Sequence, residues 1–92
     1  GVRELSYGHL FRQVWDRPGL SLRDRSLVTI AILAAGGHEA QLRAHLAGAR
    51  SRGIGREEIV EVMVQVAHYA GWPAGMSGQV VAEEVYGEAD EE

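Results

Sequence analysis

Residues 39–52 read EAQLRAHLAGARSR, and this composition, rich in Ala, Leu and Arg, favours an α-helix. His38, Gln41 and His45 follow one another here at steps of three and four residues. At about 3.6 residues per turn, this spacing predicts that the three polar side chains lie along one stripe of the helix. Two imidazoles and a carboxamide are unusual for a plain core face, so the stripe indicates a small polar pocket.

Upstream of this stretch, the sequence predicts two further helices. Apolar residues at helical spacing predict one over residues 7–15, which the segment 16–19 (DRPG) ends. Ser21 with Asp24 resembles the capping pattern that begins a helix. The run 27–35 is apolar nearly all round, which predicts that this second helix is central.

Downstream, Glu57 and Glu58 favour the start of a fourth helix, because acidic side chains stabilise a helix N-terminus. A fifth helix is predicted over residues 74–86, with these side chains facing inward: Met76, Val80, Val81 and Val85. No stretch shows the two-residue alternation of a β-strand. The predicted fold class is therefore all-α, a compact domain of about five helices over residues 1–92, ending in an acidic tail at about 87–92.

Composition narrows the possible functions. The chain has 92 residues, net charge −4 and no cysteine, which excludes disulfides, thiolate metal sites and thiol catalysis. No apolar run reaches the ~18 residues of a membrane span, so we expect no membrane association and a cytoplasmic location. Acidic residues that open the fourth helix would repel phosphates, so no nucleic-acid partner is expected. A domain this small buries a modest core, which favours a homo-oligomer.

On residue types alone, the polar stripe allows three interpretations. The first is a metal site, in which His9 or His68 completes a set with two stripe histidines, although no carboxylate stands at a ligand spacing. The second is structural, with buried histidines that bond to backbone carbonyls. The third is an acid/base pocket, in which His45 carries a proton and Gln41 orients the substrate or the ring.

Several ordered motifs resemble the carboxymuconolactone decarboxylase family. They are WDRPGL at 15–20, LRAHLAGA at 42–49, GIGREEIVEV at 53–62 and YAGWPA at 69–74, and the resemblance covers about residues 10–82. The wider alkylhydroperoxidase D-like superfamily carries Cys-x-x-Cys-x-x-x-His on the corresponding helix. This chain has His38, Gln41 and His45 at those positions, with Ser26 where the superfamily has an upstream Glu. Without the thiols, peroxidase chemistry is excluded, and the resemblance points to the decarboxylase branch.

The resemblance implies cofactor-independent decarboxylation of a small carboxylated lactone in aromatic catabolism. In the family reaction, 4-carboxymuconolactone loses CO₂, and the electrons left behind pass into a dienolate of the lactone. For this reaction our hypothesis gives the role of proton donor to His45, the hydrogen bonds to the enolate oxygen to Gln41 with His38, and the carboxylate that stays to Arg25. The implied pocket walls are Leu42, Leu46, Tyr69 and Trp72. No metal and no cofactor are implied, and the implied assembly is a homo-oligomer, a trimer or a hexamer.

One residue departs from the family pattern. The decarboxylases commonly carry an acidic residue near the position of Gln41, which is neutral here. Two alternatives to the decarboxylase therefore stay open. One is a non-catalytic relative that binds small molecules or acts as a scaffold, and the other is an acid/base enzyme that acts on a secondary metabolite.

Overall fold

The computed structural model describes residues 1–87, which form five α-helices and a short π-helical segment, with no β-strand among them. The all-α prediction is confirmed. In chain order the elements are α1 (Val2–His9), the π-helical segment (Leu10–Val14), α2 (Leu22–Gly36), α3 (Glu39–Ser51), α4 (Arg56–Tyr69) and α5 (Trp72–Tyr86). Beyond Gly87, the predicted acidic tail lies outside the described residues.

Local chemistry explains where the helices begin and end. The Ser21 hydroxyl accepts a hydrogen bond from the Asp24 N–H at 3.0 Å, which confirms Ser21 as the N-cap of α2. Gly37 ends α2 in the left-handed conformation, with φ 73° and ψ 25°. Pro73 lies in the first turn of α5, where the missing N–H costs nothing. As a result α5 begins at Trp72, slightly earlier than predicted.

The core lies between α2, α3, α4 and α5, and the contact between α4 and α5 is the most extensive. Its largest fully buried apolar side chains are Ile30, Leu46, Ile59 and Val81. Gly75 allows α5 to approach α4 closely, because a Cβ at this position would lie 2.7 Å from the backbone Cα of Ala67.

Helix α5 packs through its small residues. Met76 and Val80, predicted to face inward, are each 55% exposed, so that prediction is wrong. The buried positions of this helix are Gly75, Gly78, Val81 and Ala82. The close approach to α4 selects glycine and alanine for the contact face, and this turns two larger apolar side chains outward.

The N-terminal helix stands apart from this core. Helix α1 buries no residue, and its main contact is with the π-helical segment that continues it. After α1 the hydrogen bonding changes from the α-helical to the π-helical pattern. The Trp15 N–H donates to the Leu10 carbonyl, five residues back, at 2.7 Å. This π-helical step carries Val14 and Trp15 to the surface of α2 and α3, where both are half-buried. Within residues 1–87, no helix is long and apolar enough to cross a membrane.

Candidate acid/base site

His45 lies in the middle of α3 and is half-buried. The Trp15 indole stacks on its imidazole, with ring centroids 6.3 Å apart and an angle of 14° between the planes. This separation is within the range of offset aromatic stacks. The side chain that follows the π-helical segment therefore covers the histidine of α3.

Trp15 and His45 together border two clefts. The larger cleft has a volume of about 710 Å³ and is bordered further by Arg12, Asp16 and Arg52. The smaller has a volume of about 400 Å³, and its other walls come from the π-helical segment, α2 and α3. A ligand of either cleft would therefore lie beside the same imidazole.

The smaller cleft brings together three of the residues that the sequence singled out, His45, Gln41 and Arg25. Most of its remaining wall is apolar, formed by Leu10, Val14, Leu20, Val28 and Leu33. Arg25 donates from Nη2 to the Arg17 carbonyl at 3.1 Å. Its Nε is buried and finds no hydrogen-bond partner among the described residues.

Burial, and secondly the positive charge of Arg52, lower the pKa of His45 below its ordinary value. The imidazole is half-buried, so removing the charged form from water is costly, and a neighbouring cation adds to that cost. Both effects favour the neutral imidazole at pH 7. A proton donor at this position must therefore take up its proton in the presence of a compensating negative charge.

Arg52 is the residue that sequence reasoning missed in the larger cleft. It is the C-cap of α3, and its Nη2 donates to the hydroxyl of Ser26, which is 1% exposed on α2. A Cβ at Gly48 would lie 3.1 Å from its Nη1, so the guanidinium lies over Gly48, one turn from His45. The spacing of seven residues between His45 and Arg52, about two turns along one face, is the only signal in the sequence.

His38 lies apart from Gln41 and His45. It precedes α3 as its N-cap, with φ −90° and ψ 76°, so it is outside the helical stripe in which the sequence placed it. Its ring lies over Gly36, where a Cβ would be 2.7 Å from the imidazole Cδ2. The predicted stripe therefore holds for Gln41 and His45 and is wrong for His38, which borders a separate crevice.

The residues expected to wall the pocket lie elsewhere in the chain. Leu42 and Leu46 are buried in the core and border neither cleft. Tyr69 and Trp72 are 85% and 60% exposed at the junction of α4 and α5. Trp72 makes an edge contact with the His68 ring, with centroids 5.5 Å apart. Within one chain, the π-helical segment and α2 face His45 in their place.

The fold and the site define an all-α protein with a half-buried histidine between two clefts, each of which contains arginine. Among residues 1–87, no three His, Asp or Glu side chains gather as a metal site. The family model of the carboxymuconolactone decarboxylase family matches residues 3–84. The chain belongs to this family.

Three curated relatives are similar to the chain. It is 45% identical to the 4-carboxymuconolactone decarboxylase of Acinetobacter baylyi over an aligned stretch of 74 residues. This stretch covers 80% of this chain and 55% of the relative. The chain is 34% identical over 84 residues to an uncharacterized 15.0 kDa protein in the nqo9-nqo10 intergenic region of Paracoccus denitrificans, covering 89% and 63%. It is 33% identical over 70 residues to the nitrosuccinic acid decarboxylase npaB of Metarhizium robertsii, covering 76% and 49%. The chain thus spans about half the length of the curated relatives it matches.

Proposed function

We propose that this protein is a cofactor-independent carboxy-lyase that removes CO₂ from a small carboxylated lactone of the 4-carboxymuconolactone type. The observation that carries the proposal is the meeting of His45, Gln41 and Arg25 in one cleft with a largely apolar wall. Two of the similar proteins are named decarboxylases, which supports the same reaction type.

The substrate supplies its own electron sink in this reaction. The bond between the ring carbon and the departing carboxylate breaks, CO₂ leaves, and the electron pair passes through the C=C bond to the lactone carbonyl. The resulting dienolate accepts one proton at the carbon next to that carbonyl, which gives the enol-lactone. The chain must therefore bind the acid, stabilise the enolate oxygen and deliver a proton to carbon.

The smaller cleft suits the first of these tasks. We assign the carboxylate that stays on the substrate to Arg25, which borders this cleft and carries a guanidinium suited to bind a carboxylate. The departing carboxylate then lies against the apolar side chains of the π-helical segment and α2. An apolar surrounding disfavours its full charge relative to the more dispersed charge of the transition state.

His45 is the proposed proton donor, because it borders both clefts and is covered by Trp15. The free site favours the neutral imidazole, and an anionic substrate offsets the positive charge of Arg52. Substrate binding therefore promotes protonation of the donor. Gln41 is proposed to donate a hydrogen bond to the substrate from the smaller cleft, whereas His38 faces another crevice and is not assigned a role.

We also propose a homo-oligomer, a trimer or a hexamer. Val2 and Leu5 are exposed on α1, a helix that buries none of its residues within one chain. A second copy is the partner that would cover them, because a domain of this size gains buried apolar area by association. The cytoplasmic location expected from the sequence stays a prediction.

The test is turnover of 4-carboxymuconolactone by the purified whole protein, followed through the loss of enone absorbance and identification of the enol-lactone. We expect release of one CO₂ for each lactone consumed, without added metal or cofactor. A protein with an intact helical fold and assembly that leaves the lactone unchanged would overturn this proposal. Such a result would favour the binding or scaffold alternative.

A further inference from the structure

The guanidinium of Arg52 is held beside His45 by groups from two helices. The Ser26 hydroxyl, buried on α2, accepts a hydrogen bond from Nη2, and Gly48 on α3 leaves space for Nη1. Among residues 1–87, no carboxylate forms an ion pair with Arg52. A cation fixed by a neutral partner keeps its full charge available to a ligand in the larger cleft.

The proposed reaction requires two groups close together on the protein. The carbon that accepts the proton is bonded directly to the carbonyl carbon of the lactone, so the proton donor and the group that binds the enolate oxygen must be neighbours. His45 and Arg52 border the same cleft, and the guanidinium lies one helical turn from the imidazole. The influence of the Arg52 charge on the pKa of His45 agrees with this proximity.

We infer that Arg52 is a catalytic residue of the proposed decarboxylation, which binds the lactone oxygen as it becomes an enolate, and that Ser26 is the residue that positions it. The inference rests on the proposed function and adds to it the group that stabilises the developing charge. A cationic donor matched to charge that appears only in the transition state raises kcat more than it strengthens substrate binding.

The two clefts then orient the substrate across the Trp15–His45 pair. The carbonyl end of the lactone points into the larger cleft toward Arg52, and the acid-bearing ring carbon lies in the smaller cleft near Arg25. These two carbons flank the ring oxygen, so they face in different directions from one small ring. His45 borders both clefts and is therefore placed to reach the ring carbon next to the lactone carbonyl.

Gln41 is the competing candidate for the enolate oxygen. It borders only the smaller cleft, on the side of Arg25, and its carboxamide is a neutral donor. Besides Arg25 in the smaller cleft, the other charged residues that border a cleft with His45 are Arg12 and Asp16 in the larger one. These two come from the π-helical segment and the turn after it, and no described hydrogen bond fixes either of them as Ser26 fixes Arg52.

The test compares steady-state kinetics on 4-carboxymuconolactone for the whole protein and six variants, of which three change Arg52. We expect Arg52→Met to lose about 100-fold or more in kcat with a small change in KM, the size typical of a lost oxyanion donor. Arg52→Lys should keep part of the rate because it keeps the charge. Arg50→Met is the matched control, since Arg50 on the same helix donates to the Val85 carbonyl and should leave kcat unchanged.

To show that Ser26 positions Arg52 and does not merely stabilise the fold, the test needs a measurement that a loss of stability alone would not change. Ser26→Ala should lower kcat with little change in KM, and it should shift the pH profile of kcat/KM in the same direction as Arg52→Met. Added guanidinium ion should restore part of the activity of Arg52→Ala and none of the activity of Ser26→Ala, which keeps its own guanidinium.

Separate outcomes overturn the two proposals. A wild-type protein with no turnover overturns the decarboxylase and, with it, the role of Arg52. An active wild type whose Arg52→Met variant keeps the parental kcat and raises only KM overturns the enolate role alone. Loss of kcat in Gln41→Ala, with Arg52→Met unaffected, would assign the enolate oxygen to Gln41.

Discussion

The Trp15 indole lies over the His45 imidazole, with 6.3 Å between ring centroids and 14° between ring planes. The two residues come from different parts of the chain, since Trp15 follows the π-helical segment and His45 is in the middle of α3. Their contact separates the two clefts while both clefts keep access to the imidazole. The protonation of His45 should therefore change the fluorescence of the Trp15 indole.

Removal of the His45 imidazole should abolish most of the decarboxylase activity. We expect His45→Ala to lower kcat on 4-carboxymuconolactone by about 100-fold or more, the usual contribution of general acid catalysis. His38→Ala is the matched control, because its ring borders a separate crevice and should leave kcat near the parental value. A His45→Ala protein that decarboxylates at the parental rate would rule out its role as proton donor.

The pH dependence follows from the lowered pKa of His45. Burial first, and Arg52 second, disfavour the imidazolium, so the free site gains its proton only as the pH falls below about 6.5. If the imidazolium is the donor, kcat/KM rises as the pH falls through this lowered pKa and then levels off. Arg52→Met should move that inflection to higher pH.

Tryptophan emission provides an independent measurement of this titration. An imidazolium quenches a neighbouring indole, so Trp15 emission should fall as His45 is protonated. The second indole, Trp72, has the His68 ring at its edge and is removed with Trp72→Phe. Adding Arg52→Met to the Trp72→Phe protein should shift the midpoint of the emission titration to higher pH. An unchanged midpoint would contradict the electrostatic coupling between Arg52 and His45.

The same titration affects stability in a definite direction. The unfolded chain binds a proton at His45 with a pKa of about 6.5, whereas the folded chain binds it with a lower pKa. The unfolded state therefore holds more protons between these two values, and stability is lost as the pH falls through that window. Denaturant unfolding of wild type and His45→Gln above and below about pH 6.5 should show a smaller acid loss in the variant.

Gly48→Ala should separate stability from activity. The added Cβ would lie 3.1 Å from Nη1 of Arg52, so the flexible guanidinium must move by a few tenths of an ångström. Alanine in a helix interior is favoured over glycine by about 0.5–1 kcal/mol. We therefore expect equal or greater thermal stability together with a lower kcat. Parental kcat in this variant would show that the reaction does not depend on the guanidinium position over Gly48.

Gly75→Ala should weaken the core where α4 and α5 meet. The new Cβ would lie 2.7 Å from the Ala67 Cα, and backbone cannot yield as a side chain can. Overpacking of this kind costs about 1–3 kcal/mol, which denaturant unfolding would measure. Ser77→Ala, at an exposed position of the same helix, is the control and should change stability little. Equal midpoints for the two variants would contradict the close helix contact.

The proposed assembly depends on α1. We expect Leu5→Asp to lower the mass of the particle in light scattering, because a charge would enter a buried apolar contact between copies. Ser6→Asp, at the next exposed position, introduces the same charge and should leave the mass unchanged. An unaltered mass for Leu5→Asp would exclude this part of α1 from the contact between copies.

Helical periodicity was enough to predict the all-α fold and the shared placement of Gln41 and His45, and the capping pattern predicted Ser21 as the cap of α2. It failed at Met76, because a close helix contact selects small residues over large apolar ones. It could not place Trp15, since a π-helical turn holds more residues than the 3.6-residue period assumes and changes where later side chains point. Arg52 was missed because sequence patterns treat an arginine as solvated, while its partner Ser26 lies on another helix.

The wall that covers His45 and the helix that carries His45 come from separate parts of the sequence. The covering wall includes Leu10, Arg12, Val14, Trp15 and Asp16, whereas His45 is held by α3 and the core beneath it. A substitution of Leu10, Arg12, Val14 or Asp16 changes the cleft beside the imidazole and leaves both the Trp15 stack and the buried core under α3 in place. Selection or design for a new acid can therefore work on four codons within one short stretch, without the loss of stability that accompanies changes in a core.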